Sequence, residues 1–127
     1  MSIWAKMFLG LGSLAMLLAV TMGAFGAHAL KKSLTAEFMA IYETAVHYHF
    51  YHALGLLVVG VLALRLPETA LLRGSGLLMV AGLILFSGSL YALSLTGIRW
   101  LGAIAPIGGT AFLLAWLLLL AAVLRAD

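Results

Sequence analysis

The chain of 127 residues is 65% hydrophobic and 9% charged, contains no cysteine and carries a formal net charge of +3. Soluble domains average about 45–50% apolar and about 25% charged residues, so a water-soluble fold of this length could not bury so much apolar surface. We therefore expect one domain with lipid as its solvent. Without cysteine, disulfides, thiol catalysis and Cys-based metal sites are excluded. The seven Lys and Arg residues form no basic stripe, so we predict no nucleic-acid partner.

Four apolar segments are long enough to cross a membrane, which requires about 20 predominantly apolar residues. We predict helix 1 over about 7–30, helix 2 over about 37–66, helix 3 over about 72–95 and helix 4 over about 101–124. The connections between them are short, which favours antiparallel neighbours. The predicted fold is therefore all-α: a polytopic membrane protein whose residues 1–127 form a single transmembrane domain, a four-transmembrane-helix up-down bundle.

Helix 1 has an alternative interpretation as a signal peptide. Lys6, the apolar stretch after it and the Ala27-His28-Ala29 sequence resemble such a peptide and its cleavage site. Signal peptides have apolar regions of about 7–15 residues, and this one is longer, so a membrane helix is favoured. With four crossings both termini lie on the same side, and the slightly larger number of Lys and Arg there favours a cytoplasmic location.

Small residues recur at every fourth position along helix 1: Ala15, Ala19, Gly23 and Ala27. In lipid, helices associate through close backbone packing at such residues. The stripe fits packing within one bundle, and it also fits a homo-oligomer or a partner in a larger membrane complex. The lipid bilayer itself is the other expected partner.

Helix 2 begins with a polar stretch followed by an apolar run that is too short to cross alone. The run, residues 53–64, covers only about 18 Å of a hydrocarbon core of about 30 Å. Residues back to about Ala45 must therefore be immersed. We expect His47, His49 and His52 to lie in the outer part of the apolar zone.

Helical spacing divides the ionisable residues of this stretch between two faces. Glu43 and His47 lie four residues apart, where a carboxylate can meet an imidazole on one side of a helix. His49 and His52 fall near each other on the opposite side. The histidines on one face of helix 2 could point into the bundle, while those on the other face contact lipid headgroups or a neighbouring subunit.

The up-down topology places polar residues from all four helices in one leaflet. They are His28, Glu43, His47, His49, His52, Ser87, Ser89, Tyr91 and Arg99. Ionisable groups inside a membrane are costly and indicate a functional site by default, so this set is our candidate polar or ligand site. The alternative is an interfacial belt of Tyr and His side chains, with Arg99 and Trp100 as ordinary membrane anchors.

Within this set, His28, Glu43 and His47 are the candidate metal ligands. Imidazoles with a carboxylate suit Zn²⁺ and other first-row metals, two histidines can ligate haem, and a neutral imidazole can relay protons. The sequence contains no HExxH, GxSxG, P-loop or dinucleotide motif. With no complete catalytic set, we assign no catalytic residue, favour a protein that is not an enzyme and leave the cofactor open.

Several motifs together resemble a known family. They are GAFGAHAL at 23–30, TAVHYH at 44–49, HAL at 52–54, FSGSLY at 86–91 and IGG at 107–109. The chain is similar to small bacterial inner-membrane proteins of the YgdD/YwdK type, a domain-of-unknown-function family with eukaryotic transmembrane relatives. The resemblance implies a multi-pass protein of the bacterial inner (plasma) membrane. It implies no activity, substrate or catalytic residue.

Three functions that differ in kind fit these observations. The first is a binding or structural module that associates with a membrane complex, a lipid or itself. The second is a small transporter or an ion- or proton-conducting oligomer that uses the His/Glu cluster. The third is a redox subunit that holds haem, a metal or a quinone. We rank them in this order because the chain is small and has no soluble domain.

Overall fold

The computed structural model describes all residues from Met1 to Asp127 and contains four helices long and apolar enough to cross a membrane. They are Ile3–Leu30 (helix 1), Ala36–Leu62 (helix 2), Ala70–Thr96 (helix 3) and Arg99–Leu124 (helix 4). No strand is present, and the short connections make consecutive helices antiparallel. The predicted all-α four-helix up-down bundle is confirmed.

Three of the four helices begin at a hydroxyl side chain that caps the first turn. Ser2, Thr35 and Thr69 each accept a hydrogen bond from the backbone N–H three residues later, at 3.1, 3.2 and 3.2 Å. Such caps satisfy donors that the first helical turn leaves unbonded. The Ser2 cap starts helix 1 at Ile3, before the predicted start at Met7.

The ends of helices 2 and 3 are set by backbone chemistry. Helix 2 ends at Leu62 rather than at the predicted Leu66, because the chain tightens into a turn before Pro67, and proline disfavours helix at the residue before it. Helix 3 ends at Thr96 and is capped by Gly97, whose φ of 75° is the left-handed conformation that glycine adopts without steric cost.

Helices 1 and 3 each contain a widened π-helical segment, at Gly26–Leu30 and at Leu83–Gly88. Helix 4 starts with a 3₁₀ segment, Arg99–Ala103, and continues as an α-helix from Ala105. All three irregular segments lie toward the same end of the bundle, the end that carries the histidines. Single-turn π segments frequently occur at functional sites.

The two halves of the bundle differ in what they bury. The half nearest the chain termini holds the apolar core, which consists of Phe8, Leu56, Val59, Leu72, Met79, Ala115, Leu119 and Ala122. The other half holds the buried hydroxyl groups of Ser87, Ser89 and Ser94, whereas His49 lies at the middle of helix 2 and His52 lies three residues closer to the termini. Most buried hydroxyl groups therefore lie in the half away from the termini.

Helix 4 approaches the backbone of helix 3 at Gly108. A Cβ atom added there would lie 2.3 Å from the backbone nitrogen of Phe86 and 2.7 Å from the carbonyl carbon of Leu85. Both atoms belong to the π-helical segment of helix 3, and backbone atoms cannot swing aside as a side chain can. A residue without a side chain is therefore required at this crossing.

The first prediction concerns this crossing. Gly108→Ala should lower the thermal unfolding midpoint of the protein in mild detergent, since overpacking of this kind costs about 1–3 kcal/mol. Gly10→Ala is the matched control, because an added Cβ there meets no atom within 4 Å. The control should keep or raise the midpoint, as alanine is the better helix former. Equal midpoints for the two variants would contradict the proposed contact.

Candidate functional site

His52 connects helix 2 to helix 4 through both of its ring nitrogens. Nδ1 lies 2.8 Å from the backbone carbonyl of Tyr48, and Nε2 lies 3.0 Å from the indole nitrogen of Trp116. A carbonyl can only accept and an indole N–H can only donate, so Nδ1 carries the proton and Nε2 accepts. The ring also stacks on Phe112, with 3.5 Å between ring centroids.

These contacts give His52 a structural role. Both ring nitrogens form hydrogen bonds and one ring face is packed against Phe112. His52 therefore has no free nitrogen to bind a metal ion or to relay a proton. Trp116, the partner that completes the arrangement, is absent from the predicted site. The sequence signal for a structural role is its N–H donor within an apolar helix, where such a group needs an acceptor.

His49 occupies a different face of helix 2, where helices 1, 2 and 3 meet. Its Nδ1 lies 2.8 Å from the hydroxyl oxygen of Tyr91, and Ala15 of helix 1 lines the same space. The hydrogen bond between Nδ1 and the Tyr91 hydroxyl joins helix 2 to helix 3. The imidazole is buried, with 8% of the residue exposed.

The hydroxyl groups around His49 also donate to neighbouring backbone. The Ser87 hydroxyl in helix 3 donates to the carbonyl of Ala45 in helix 2 at 2.9 Å. The Tyr42 hydroxyl in helix 2 donates to the carbonyl of Met22 in helix 1. The hydroxyl protons of Ser87 and Tyr42 are thus used in hydrogen bonds within the protein. The oxygens of the same hydroxyl groups keep lone pairs that can accept a further hydrogen bond.

An apolar cavity of about 420 Å³ lies between helices 1 and 3, with helix 2 behind it. We call it the helix 1–3 groove. Leu14 and Leu18 form one wall, Leu83 and Ile84 form the other, and the polar groups within it are His49, Ser87 and Tyr91. Its rim is open, since Leu14 and Ile84 are 50% and 66% exposed. In a bilayer this opening faces lipid.

The π-helical segment of helix 3 shapes the groove. Four of its residues line the wall: Leu83, Ile84, Ser87 and Gly88. A Cβ atom added at Gly88 would meet only the carbonyl oxygen of Leu83, at 3.9 Å, so the missing side chain there keeps the groove wide. The π-helical segment thus forms part of one wall of the groove and also places the hydroxyl of Ser87 in it.

The structure does not assemble the candidate metal ligands. His28, Glu43 and His47 are all exposed, and no group of three His, Asp or Glu side chains could hold a metal ion. Glu43 and His47 form no ion pair. The His47 ring instead lies beside that of Tyr51, 6.4 Å away between centroids. The metal site expected of these three residues is therefore not formed: Glu43 and His47 border a pocket beside the end of helix 1, and His28 does not line it.

The two remaining predicted residues lie outside the groove. The Ser89 hydroxyl donates to the carbonyl of Phe86 in its own helix, at 2.9 Å. The guanidinium of Arg99 donates to both carboxylate oxygens of Glu37, at 2.7 and 3.4 Å, and lies over the Phe38 ring. Arg99 thus joins the starts of helices 2 and 4 at the surface, as an exposed ion pair.

Comparison with known proteins gives a consistent result across most of the chain. The family model described as "Protein of unknown function (DUF423)" matches residues 22–109. The UPF0382 membrane protein YwdK of Bacillus subtilis is 48% identical over 120 residues, covering 94% of this chain and 98% of the relative. A UPF0382 membrane protein of Staphylococcus epidermidis is 46% identical over 121 residues, covering 94% and 97%. No solved structure matches the chain.

The second prediction tests the bond between His52 and Trp116. Trp116→Phe keeps an aromatic ring but leaves the buried Nε2 of His52 without a donor, which costs about 1–3 kcal/mol. The thermal midpoint in detergent should fall accordingly. Trp100→Phe is the control, because Trp100 is 67% exposed and its indole has no partner. An equal loss from both substitutions would refute the structural role given to His52.

Proposed function

The chain belongs to the DUF423 family, whose curated relatives are named membrane proteins, and we propose that it is a small binding module for a lipid-soluble molecule. The observation that carries the proposal is the polar pair of His49 and Tyr91 at the back of an apolar groove open to the bilayer. The ligand would place an apolar body against helices 1 and 3 and a hydrogen-bonding group against this pair.

The hydrogen bonds within the groove define the polar group of the ligand. The Ser87 hydroxyl donates to the carbonyl of Ala45, and the Tyr91 hydroxyl is hydrogen-bonded to Nδ1 of His49, so both hydroxyl oxygens keep lone pairs that can accept. A ligand that donates a hydrogen bond, as an alcohol does, suits these oxygens. The groove is lined by no Asp, Glu, Lys or Arg residue, so it offers no partner to a charged headgroup. We propose a neutral amphiphile with a hydroxyl group.

The cavity volume supports a ligand of this kind. Pockets for small molecules typically measure about 300–1,000 Å³ and are mostly apolar with a few polar groups that fix orientation. At about 420 Å³ the groove accommodates a hydroxyl-bearing head and part of a chain, and its open rim lets the remainder lie among the lipids. Ligand binding in the groove is compatible with a protein that also associates with a membrane complex or with itself. The bound ligand would then be a further component of that assembly.

A quinol belongs to the same ligand class, which bears on the redox alternative. Its ring hydroxyl donates and its isoprenoid tail is apolar, so the helix 1–3 groove would be its binding place. The exposed residues His28, Glu43 and His47 do not line this groove. We further propose that residues 1–127 act as one domain of the bacterial inner membrane with both termini in the cytoplasm, as the distribution of Lys and Arg favours.

The third prediction tests the groove with a defined pair of probes. The purified protein should bind dioleoylglycerol more tightly than its methyl ether, by about fivefold, the ratio expected for one hydrogen bond of about 1 kcal/mol. Binding would be measured by native mass spectrometry from detergent. Ser87→Ala should reduce the ratio, because it removes one acceptor. Ser94→Ala is the control, since Ser94 is also buried but bonds within its own helix.

Steric blocking gives a further check on the same proposal. Leu18→Trp should fill the groove and abolish binding of dioleoylglycerol, whereas Leu17→Trp should not, because Leu17 is exposed outside the groove. Equal affinity for the alcohol and its ether, or unaltered binding in Leu18→Trp, would overturn the proposal. A quinol that binds more tightly than dioleoylglycerol would identify the redox member of the ligand class.

A further inference from the structure

A second pocket, of about 270 Å³, is built from the end of helix 1 and the first half of helix 2. We call it the helix 1–2 pocket. Its ionisable lining residues are Lys31, Glu43 and His47, and its back is formed by Tyr42 with Gly23 and Gly26. It shares no lining residue with the helix 1–3 groove. The two sites are therefore lined by different residues.

The charges of this pocket do not neutralise each other. The ion pairs of the protein join Arg73 to Glu68 and Arg99 to Glu37, so Lys31 and Glu43 line the same pocket without pairing. An ammonium and a carboxylate that border one cavity without pairing fit a ligand that carries both charges. A purely anionic ligand would be repelled by Glu43, and a purely cationic one by Lys31.

The depth of the pocket matches the headgroup layer of a bilayer. The exposed pair of Glu37 and Arg99 lies at the start of helix 2, and Glu43 follows Glu37 by about 9 Å at about 1.5 Å per residue. Polar headgroups occupy roughly 5–8 Å on each side of the hydrocarbon core. Glu43 therefore lies near the boundary where headgroups meet acyl chains, and His47 lies about 6 Å deeper.

The back of the pocket is held in a fixed shape. A Cβ atom added at Gly26 would lie 2.4 Å from the Cε1 atom of Tyr42, so the ring can pack directly on helix 1 only because that residue is glycine. The Tyr42 hydroxyl is bonded to the carbonyl of Met22, which fixes the ring. Gly23 lines the same pocket and adds no side chain to fill it. The concavity therefore exists before any ligand arrives.

We propose that the helix 1–2 pocket binds the headgroup of an aminophospholipid, in which a phosphate diester is joined to a primary ammonium. Lys31 pairs with the phosphate and Glu43 accepts hydrogen bonds from the ammonium. His47, on the same face as Glu43, lies beside the headgroup and can donate to a phosphate oxygen. A choline headgroup has no N–H to donate to Glu43, and a glycerol headgroup has no positive charge, so both bind more weakly.

The experiment compares lipids retained by the full chain. The protein would be extracted from vesicles containing equal amounts of phosphatidylethanolamine, phosphatidylcholine and phosphatidylglycerol, and retained lipid would be counted by native mass spectrometry. We expect phosphatidylethanolamine to be enriched about fivefold, the upper range for an exposed ion pair. Glu43→Gln should abolish the enrichment over phosphatidylcholine, and Lys31→Gln should lower retention of phosphatidylethanolamine.

Matched controls separate this site from general effects of charge. Lys32→Gln changes the neighbouring exposed lysine, which lies outside the pocket, and Glu68→Gln changes an acidic residue at the opposite end of the bundle. Both should retain the enrichment. Equal retention of the three lipids by the unaltered protein, or enrichment that survives Glu43→Gln, would overturn the proposal. Binding of dioleoylglycerol to the same variants reports on the groove, so failure of one site is distinguished from failure of the other.

Discussion

A polar side chain buried in a bilayer must find its hydrogen-bond partner within the protein, because no water is available to replace it. This bundle meets that constraint fully, since no buried side-chain nitrogen or oxygen lacks a partner. Several of the bonds cross between helices: His52 to Trp116, His49 to Tyr91, and Ser75 to the carbonyl of Ala115. Lipid supplies no hydrophobic drive between helices, so such bonds and close small-residue contacts hold the bundle together.

The constraint also explains why helix 2 carries most of the chemistry. Helix 1 packs mainly on helix 2, and helix 4 packs mainly on helix 3. Helix 2 therefore has neighbours on several sides, and its polar residues can be satisfied in several directions. His49 bonds toward helix 3, whereas His52 bonds toward helix 4. The helix 1–3 groove lies beside His49, between two helices that contact each other little.

The sequence was sufficient to predict the helices and their topology, because length, apolar content and short connections decide both. It could not assign roles to the histidines. Spacing places Glu43 with His47 on one face and His49 near His52 on another, but the rotation of helix 2 depends on its neighbours. Those neighbours turn His47 outward and His49 inward. The π-helical segment Leu83–Gly88 and the role of Trp116 also escaped prediction, since both depend on tertiary contacts.

The side chains between Glu43 and His52 face three different environments, because successive residues are rotated by about 100° around the helix axis. Glu43 and His47 face a charged pocket at headgroup depth, His49 faces an uncharged groove, and His52 closes a contact with helix 4. A metal or proton pathway would need these groups on one face with free nitrogens. Lipid recognition instead benefits from the observed separation, since a charged headgroup and a neutral amphiphile require different surroundings. The division of polar residues among faces thus fits the two separate binding sites that we propose, rather than a single metal or proton pathway through all of them.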